Sequence, residues 1–197
     1  ALMQGLADGY FVAPTTIQNY LVQMPPGKVS TSQVEFRDDE VRAKEYYKTL
    51  IGGKGDGLVE SFHQRLGNVM WDNVGMERSV DSLNHSIASF HDLKNEFRDN
   101  VKVPGKAEDL NEQLEKAARV DDFIELGDLM ARDALEREES CGAHFRKEFQ
   151  TDDHEAKRND DEFQHVAVWD FNNGIEPVRH VEPLRFDNVV PETRSYK

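Results

Sequence analysis

The sequence predicts a mainly α protein: an antiparallel helical bundle of three or more helices, followed by a small antiparallel β unit. Three observations carry this. Leu83, Phe90 and Phe97 recur every seven residues, a seam suited to antiparallel helix packing. Gly127, Ala131 and Ala134 put small residues on one side of a second helical stretch, which lets a neighbouring helix approach closely. After Gly142 the pattern changes: His165-Val166-Ala167-Val168-Trp169-Asp170-Phe171 is β-branched and aromatic, and Asn172-Asn173-Gly174 is a strong turn signal.

Residues 1–24 read as helical, with Leu2, Leu6, Tyr10 and Ile17 loosely periodic. Pro14 marks a kink or a boundary between two helical pieces, because it removes a donor and crowds the preceding turn. Pro25-Pro26-Gly27 ends this element and opens a loop through Gln33. Asp38 is the expected N-cap of a helix running to about Ile51, and Gly52-Gly53-Lys54-Gly55-Asp56-Gly57 a flexible turn. The next helix is expected to carry Leu58, Phe62, Leu66, Val69, Met70 and Met76 broadly on one face. Ser79 caps a further helix bearing Val80, Leu83, Ile87, Phe90 and Phe97. Val103-Pro104-Gly105 is a break. Asp109 followed by Glu112 resembles a capping box, opening a helix that runs, with a bend near Asp121-Asp122, to about Glu139. Gln150 to Glu162 is dense in charge and reads as a solvated loop, Pro177 to Leu184 as the return strand, and Asn188 to Lys197 as a tail with little core potential.

The opening residues have no basic region ahead of their apolar run, so they do not read as a signal peptide. Gln4 and Asp8 interrupt that run, and a membrane span needs ~20 mostly apolar residues. The expectation is a helix whose upstream strand and loop belong to a larger polypeptide. The chain then divides into residues 1–33 (helix and linker from a truncated domain), 34–140 (bundle) and 141–197 (small C-terminal β/loop unit).

Composition bounds the function. The 197 residues are 38% hydrophobic and 31% charged, with a formal net charge of -14. That charge argues against nucleic acid, whose binding draws on a basic footprint, and against docking on anionic lipid. A single cysteine, Cys141, forms no internal disulfide and fits a reducing compartment.

Candidate chemistry centres on Cys141-Gly142-Ala143-His144, which reads either as half a metal site or a thiol–imidazole pair, or as a structural turn. A structural zinc needs about four ligands, and no second C-x-x-H or C-x-x-C exists, so the turn is favoured. His63, His85 and His91 lie on predicted helices, with His85 and His91 six apart and on different faces, and read as structural. The acidic loop around Asp152-Asp153-His154-Glu155 lacks EF-hand spacing. Gly52-Gly53-Lys54-Gly55 lacks phosphate-loop spacing, and no G-x-G-x-x-G is present. No catalytic residue and no metal ligand is assigned.

Arg137-Glu138-Glu139-Ser140-Cys141-Gly142-Ala143-His144-Phe145-Arg146 resembles the R-x-E-S-R-G-A-H-x-R segment near the C-terminus of succinate dehydrogenase and fumarate reductase flavoprotein subunits. Four further stretches match the same family in order. Ala1 to Phe11 resembles the segment after its N-R-L-G loop, and Val69 to Arg78 its M-W-x-x-V-G-x-x-R segment. Glu125 to Leu129 resembles its E-L-x-N-L stretch, and Glu182-Pro183-Leu184 through Arg194-Ser195-Tyr196-Lys197 its final strand and R-S-Y ending. Gly142, His144 and Arg146 match the signature, whereas Cys141 stands where the family commonly has Arg.

The resemblance implies the C-terminal region of an FAD enzyme that interconverts succinate and fumarate and passes electrons to an iron–sulfur subunit. By position, Ala1 and Leu2 fall on the pair whose backbone contacts the flavin ring, although the family often has Ser at Ala1. The groups doing the chemistry would lie upstream, in the parent's own flavin-binding domain. This chain alone would be inactive, hold no cofactor, and insert into no membrane. Its parent would lie on the cytoplasmic face of the inner membrane through partner subunits. Two alternatives stand beside this reading: the related L-aspartate oxidase, and an acidic helical interaction module with no enzyme attached.

Overall fold

The computed structural model describes residues 2–23, 27, 29–172 and 175–192. By internal contact the chain separates into two units, residues 1–46 and 47–197.

In the first unit, helix α1 (Leu2–Ala7) runs through a π turn (Asp8–Val12) into α2 (Ala13–Gln23). The Ala13 N–H donates to the Asp8 carbonyl, the wide spacing of a π turn. Pro14 in the next position has no N–H to continue the ordinary ladder, so the boundary expected there takes the form of a bulge rather than a break. None of the residues of these three pieces is buried, and Leu2, Met3, Tyr10 and Phe11 are openly exposed. Helix α3 (Val34–Gly52) crosses the division between units. It starts four residues ahead of the expected cap, so Asp38 lies inside it. The last part of the preceding turn is organised by the Gln33 side chain, which accepts from the Ser30 N–H.

The second unit holds the bundle: α4 (Val59–Asn73), α5 (Val80–Asn100) and α6 (Glu112–Glu136). Strand β1 (Gly57–Leu58) enters α4 and pairs in parallel with β3 (Val101–Lys102), which leaves α5. Strand β2 (Glu77–Arg78) enters α5 and pairs in parallel with β4 (Phe145–Arg146), which follows α6. The start of α4 therefore lies beside the end of α5, and the start of α5 beside the end of α6. Consecutive helices are antiparallel, as the heptad seam predicts.

Leu83, Phe90 and Phe97 are all buried, with Phe62, Leu66, Leu93, Val120 and Ile124. Phe62 and Phe97 meet edge to face with centroids 5.2 Å apart, a favoured aromatic geometry. Gly127, Ala131 and Ala134 are buried on α6, and a Cβ on Gly127 would sit 3.2 Å from the Met70 sulfur and 3.4 Å from the Phe90 ring. The small face exists because two large side chains fill it. Leu58 is the exposed N-cap of α4 and Met76 lies beyond that helix, exposed with Trp71, so neither joins the face assigned to them.

Ser79 caps α5 with a reciprocal box completed by Ser82. At α6 the cap is Asn111, not Asp109: its Oδ1 accepts from the Leu114 N–H while its amide donates to the Pro104 carbonyl. Helix α6 runs unbroken through Asp121-Asp122 and ends at Glu136, three residues short of the expected end.

The acidic stretch after residue 150 is not a simple solvated loop. A bridge pairs Gln150 with Ala156, and α7 (Asp160–Phe163) makes one short turn. β5 (His165–Asn172) and β6 (Ile175–Pro183) then form the expected antiparallel pair, in register from His165↔Pro183 to Asp170↔Val178. The Trp169 indole donates to Asp133 Oδ1 at 2.8 Å and ties this pair to α6. Asn173 and Gly174 of the expected turn, and the Arg194-Ser195-Tyr196 ending, lie outside the described residues.

Candidate functional site

The signature stretch forms the junction between α6 and the C-terminal unit. Charged residues in such a run ordinarily face water, yet Arg146 is 1% exposed and Glu139 2%. What keeps them inside is pairing. The last turn of a helix leaves carbonyls without intrahelical partners, and Arg146 supplies the missing donors. Its Nη1 donates to the carbonyls of Ala134 at 2.9 Å and Leu135 at 3.1 Å, and its Nε to Glu148 Oε2 at 3.1 Å. The guanidinium also lies over the Phe149 ring, 5.4 Å from its centroid. Its backbone N–H donates to Ser140 Oγ, whose hydroxyl donates back to the Arg146 carbonyl. A cation at a helix C-terminus complements the macrodipole as well.

Glu139 is the matching anion. Its Oε1 accepts from Arg137 Nε at 2.8 Å and Nη2 at 2.7 Å, and its Oε2 from the Asn159 N–H at 2.8 Å. Arg137 Nη2 also donates to the Phe163 carbonyl. One buried carboxylate thus ties the end of α6 to the segment leading into α7.

Between them, Cys141-Gly142-Ala143-His144 is a tight turn closed by two backbone hydrogen bonds between Cys141 and His144, with Gly142 at φ 60°. A left-handed backbone there favours glycine. The turn aims the His144 ring inward. Arg78 Nη1 lies 2.9 Å from Nδ1, and the Arg137 carbonyl 2.9 Å from Nε2. Arginine only donates, so Nδ1 must accept, which places the single ring proton on Nε2. Burial, followed by the charges of Arg78, Arg146 and Arg137, holds the imidazole below its usual range against the raising effect of the Arg137 carbonyl bond. Arg78 is itself fixed by Nε bonds to the Val74 and Gly75 carbonyls, and burial and the Arg146 charge lower its pKa.

This arrangement spends its polar atoms on itself. Both His144 nitrogens and the Arg146 fork bond to protein atoms, so the cluster reads as a lock and presents no acid, base or anion clamp. Cys141 is a free, partly exposed thiol, and no set of three or more potential metal-ligating side chains gathers among the described residues. His63 lies against the Phe123 ring, the His85 carbonyl accepts from the Ser89 hydroxyl, and His91 meets Arg132 on α6. A cavity of about 510 Å³ opens between α5, α6 and the β5–β6 pair, floored by Phe90 and Ile124. Its Lys94 and Arg132 are engaged by Glu125 and Asp128.

Ala1 lies outside the described residues, and Leu2 is 89% exposed on α1. Sequence reasoning missed Arg78, Glu139, Ser140 and Glu148 as members of the junction. Arg78 carried a signal, closing the second matched stretch as Arg146 closes the fourth. Glu139 and Ser140 also fall on matched positions of the signature, but a charged run reads as solvated until its partners are known.

Known proteins resemble this chain in sequence and in fold. The family described as fumarate reductase flavoprotein C-term matches residues 63–196. The fumarate reductase flavoprotein subunit of Helicobacter pylori strain J99 is 28% identical over 174 residues, covering 84% of this chain and 23% of that protein. An uncharacterised FAD-dependent oxidoreductase of Methanocaldococcus jannaschii is 29% identical over 118 residues, 60% of this chain and 20% of that one. Among solved structures, the FrdA chain of Escherichia coli quinol fumarate reductase superposes with a TM-score of 0.72 at 17% identity, over 84% of this chain and 27% of that one. The Mycobacterium smegmatis Sdh1 complex in the apo form superposes with a TM-score of 0.67 at 20% identity, over 84% of this chain and 27% of that one. The chain spans about a fifth to a quarter of the curated relatives it matches. With two thirds of its length inside the matched region and the same fold in both structures, the chain belongs to the fumarate reductase flavoprotein C-terminal family.

Proposed function

We propose that this chain is the C-terminal region of a flavoprotein subunit that interconverts succinate and fumarate through FAD and passes electrons to an iron–sulfur subunit. Its own part is structural: the bundle and the C-terminal unit brace a flavin domain supplied by the same polypeptide. On this reading residues 1–33 are the remainder of that domain, 34–140 the bundle and 141–197 the terminal unit. The observation that carries it is the family match across residues 63–196, with the signature residues engaged in internal bonds.

FAD is the group this family implies, and the described residues do not fit it. Its pyrophosphate calls for a Gly-rich turn opening a helix. No such turn is present in the sequence. In the parent, substrate carboxylates would be clamped and protons moved by residues upstream.

No helix among the described residues is long and apolar enough to cross a membrane. In the proposed reading the parent lies on the cytoplasmic face of the inner membrane through partner subunits.

The test compares the parent polypeptide with this chain. Purified parent with FAD should bleach its flavin when succinate is added, and the 197-residue chain with FAD should not. Bleaching by the chain alone overturns the bracing role. Bleaching of the parent by L-aspartate in place of succinate would favour the aspartate oxidase alternative.

A further inference from the structure

We propose that His144 is an acid-released clasp holding the C-terminal segment against the turn between α4 and α5.

The clasp works only with a neutral ring. Arg78 reaches His144 from β2, across 66 residues of sequence, and donates to Nδ1 at 2.9 Å. Nε2 donates to the Arg137 carbonyl at the end of α6. A proton added at Nδ1 makes that nitrogen a donor facing a donor, and sets two positive charges together at hydrogen-bond distance. The Asp133 charge opposes this at Arg78, while three guanidinium groups act against it at the ring. The charged groups facing the ring are Arg78 from β2, Arg146 from β4 and Arg137 from the end of α6, all cationic. The carboxylates of the junction are held elsewhere. Glu139 takes Arg137 and the Asn159 N–H, Glu148 takes Arg146 and the Val80 N–H, and Asp133 takes Trp169.

Losing the Arg78 bond also reaches past the ring. The same guanidinium holds the Val74 and Gly75 carbonyls of the turn after α4, and the Arg78 carbonyl accepts from the Lys147 N–H beside β4. Displacing Arg78 therefore loosens the β2–β4 pair together with the turn, and leaves the segment from Cys141 onward held to α6 through Arg146 and Trp169.

The sign follows from proton counting. The folded chain holds His144 below its usual range, so the unfolded chain binds more protons in the window beneath an ordinary imidazole pKa of ~6.5. The clasp's contribution is whole above that value and declines as pH falls under it. His180 lies 3.0 Å from Asp170, so the His144 effect is read as a difference between variants.

Histidine side-chain NMR on the 197-residue chain follows each ring from about pH 8 to about pH 5. His144 is expected to carry its proton on Nε2 and to titrate below ~6.5. Urea unfolding over the same range compares the chain with His144→Gln, whose amide can accept from Arg78 and donate to Arg137 without titrating. The folded-to-unfolded ratio of the unmodified chain should fall relative to His144→Gln by up to about tenfold per pH unit below ~6.5. A His144 that titrates at or above the ordinary value overturns the proposal, as do parallel pH profiles for the two proteins. Should His144→Gln fail to fold, the NMR titration alone decides.

Discussion

Replacing Arg146 with methionine tests whether the signature arginine holds the fold. Methionine fills much of the aliphatic volume but donates nothing. The carbonyls of Ala134 and Leu135 would then be left at the end of α6, where Arg146 now excludes water at 1% exposure. Each unsatisfied buried acceptor costs about 1–3 kcal/mol. Loss of the contact over the Phe149 ring adds about 0.5–1 kcal/mol. The Glu148 bond is discounted, because that carboxylate is partly exposed and water replaces the arginine. These terms span about 2.5–7 kcal/mol, and the cost of removing one partner from a buried ionic network narrows the expectation to about 3–5 kcal/mol. For a chain of this size, ~2–4 °C per kcal/mol makes that a fall in Tm of roughly 6–20 °C. Urea unfolding at neutral pH, followed by far-ultraviolet circular dichroism, measures it directly. Arg146→Lys should recover part of the loss, since an ammonium reaches one or two carbonyls but lacks the planar fork. A methionine variant within about 1 kcal/mol of the parent would refute the argument, because it would mean that the helix end does not depend on the guanidinium.

Two further outcomes follow from the bundle. Gly55→Ala should destabilise by about 1–3 kcal/mol in the same unfolding assay, because its Cβ would fall 2.0 Å from the Asn100 carbonyl oxygen and backbone must move to admit it. Ser79→Ala should cost about 1 kcal/mol by opening the capping box at α5, with helix content by circular dichroism otherwise unchanged.

What the sequence made legible was set by repetition. The Leu83, Phe90 and Phe97 seam, the small face of α6 and the β5 strand each rest on several residues pointing the same way. Single-residue inferences fared less evenly. Ser79 was readable because its partner Ser82 is local. Asn111 was not, because its advantage over Asp109 is tertiary: an amide can donate to the Pro104 carbonyl while accepting from Leu114, and a carboxylate cannot donate. Leu58 and Met76 fit the apolar spacing of α4, but the helix begins after one and stops before the other. At the junction, the resemblance singled out Gly142, His144 and Arg146 without giving them work. Their work is visible only once Arg78 and Glu148 are placed around them, and hydropathy patterns carry no information about which distant charges will meet.

The two short parallel pairings, β1 with β3 and β2 with β4, have a mechanical consequence. Helix α5, about 32 Å long at 1.5 Å per residue, runs between them and is stitched at both ends. It cannot creep along α6 by a turn without tearing one seam or the other. A push delivered to one end of this rod therefore arrives at the far end as tilt or rotation of the whole bundle, so the region would relay motion as a lever does and not as a spring.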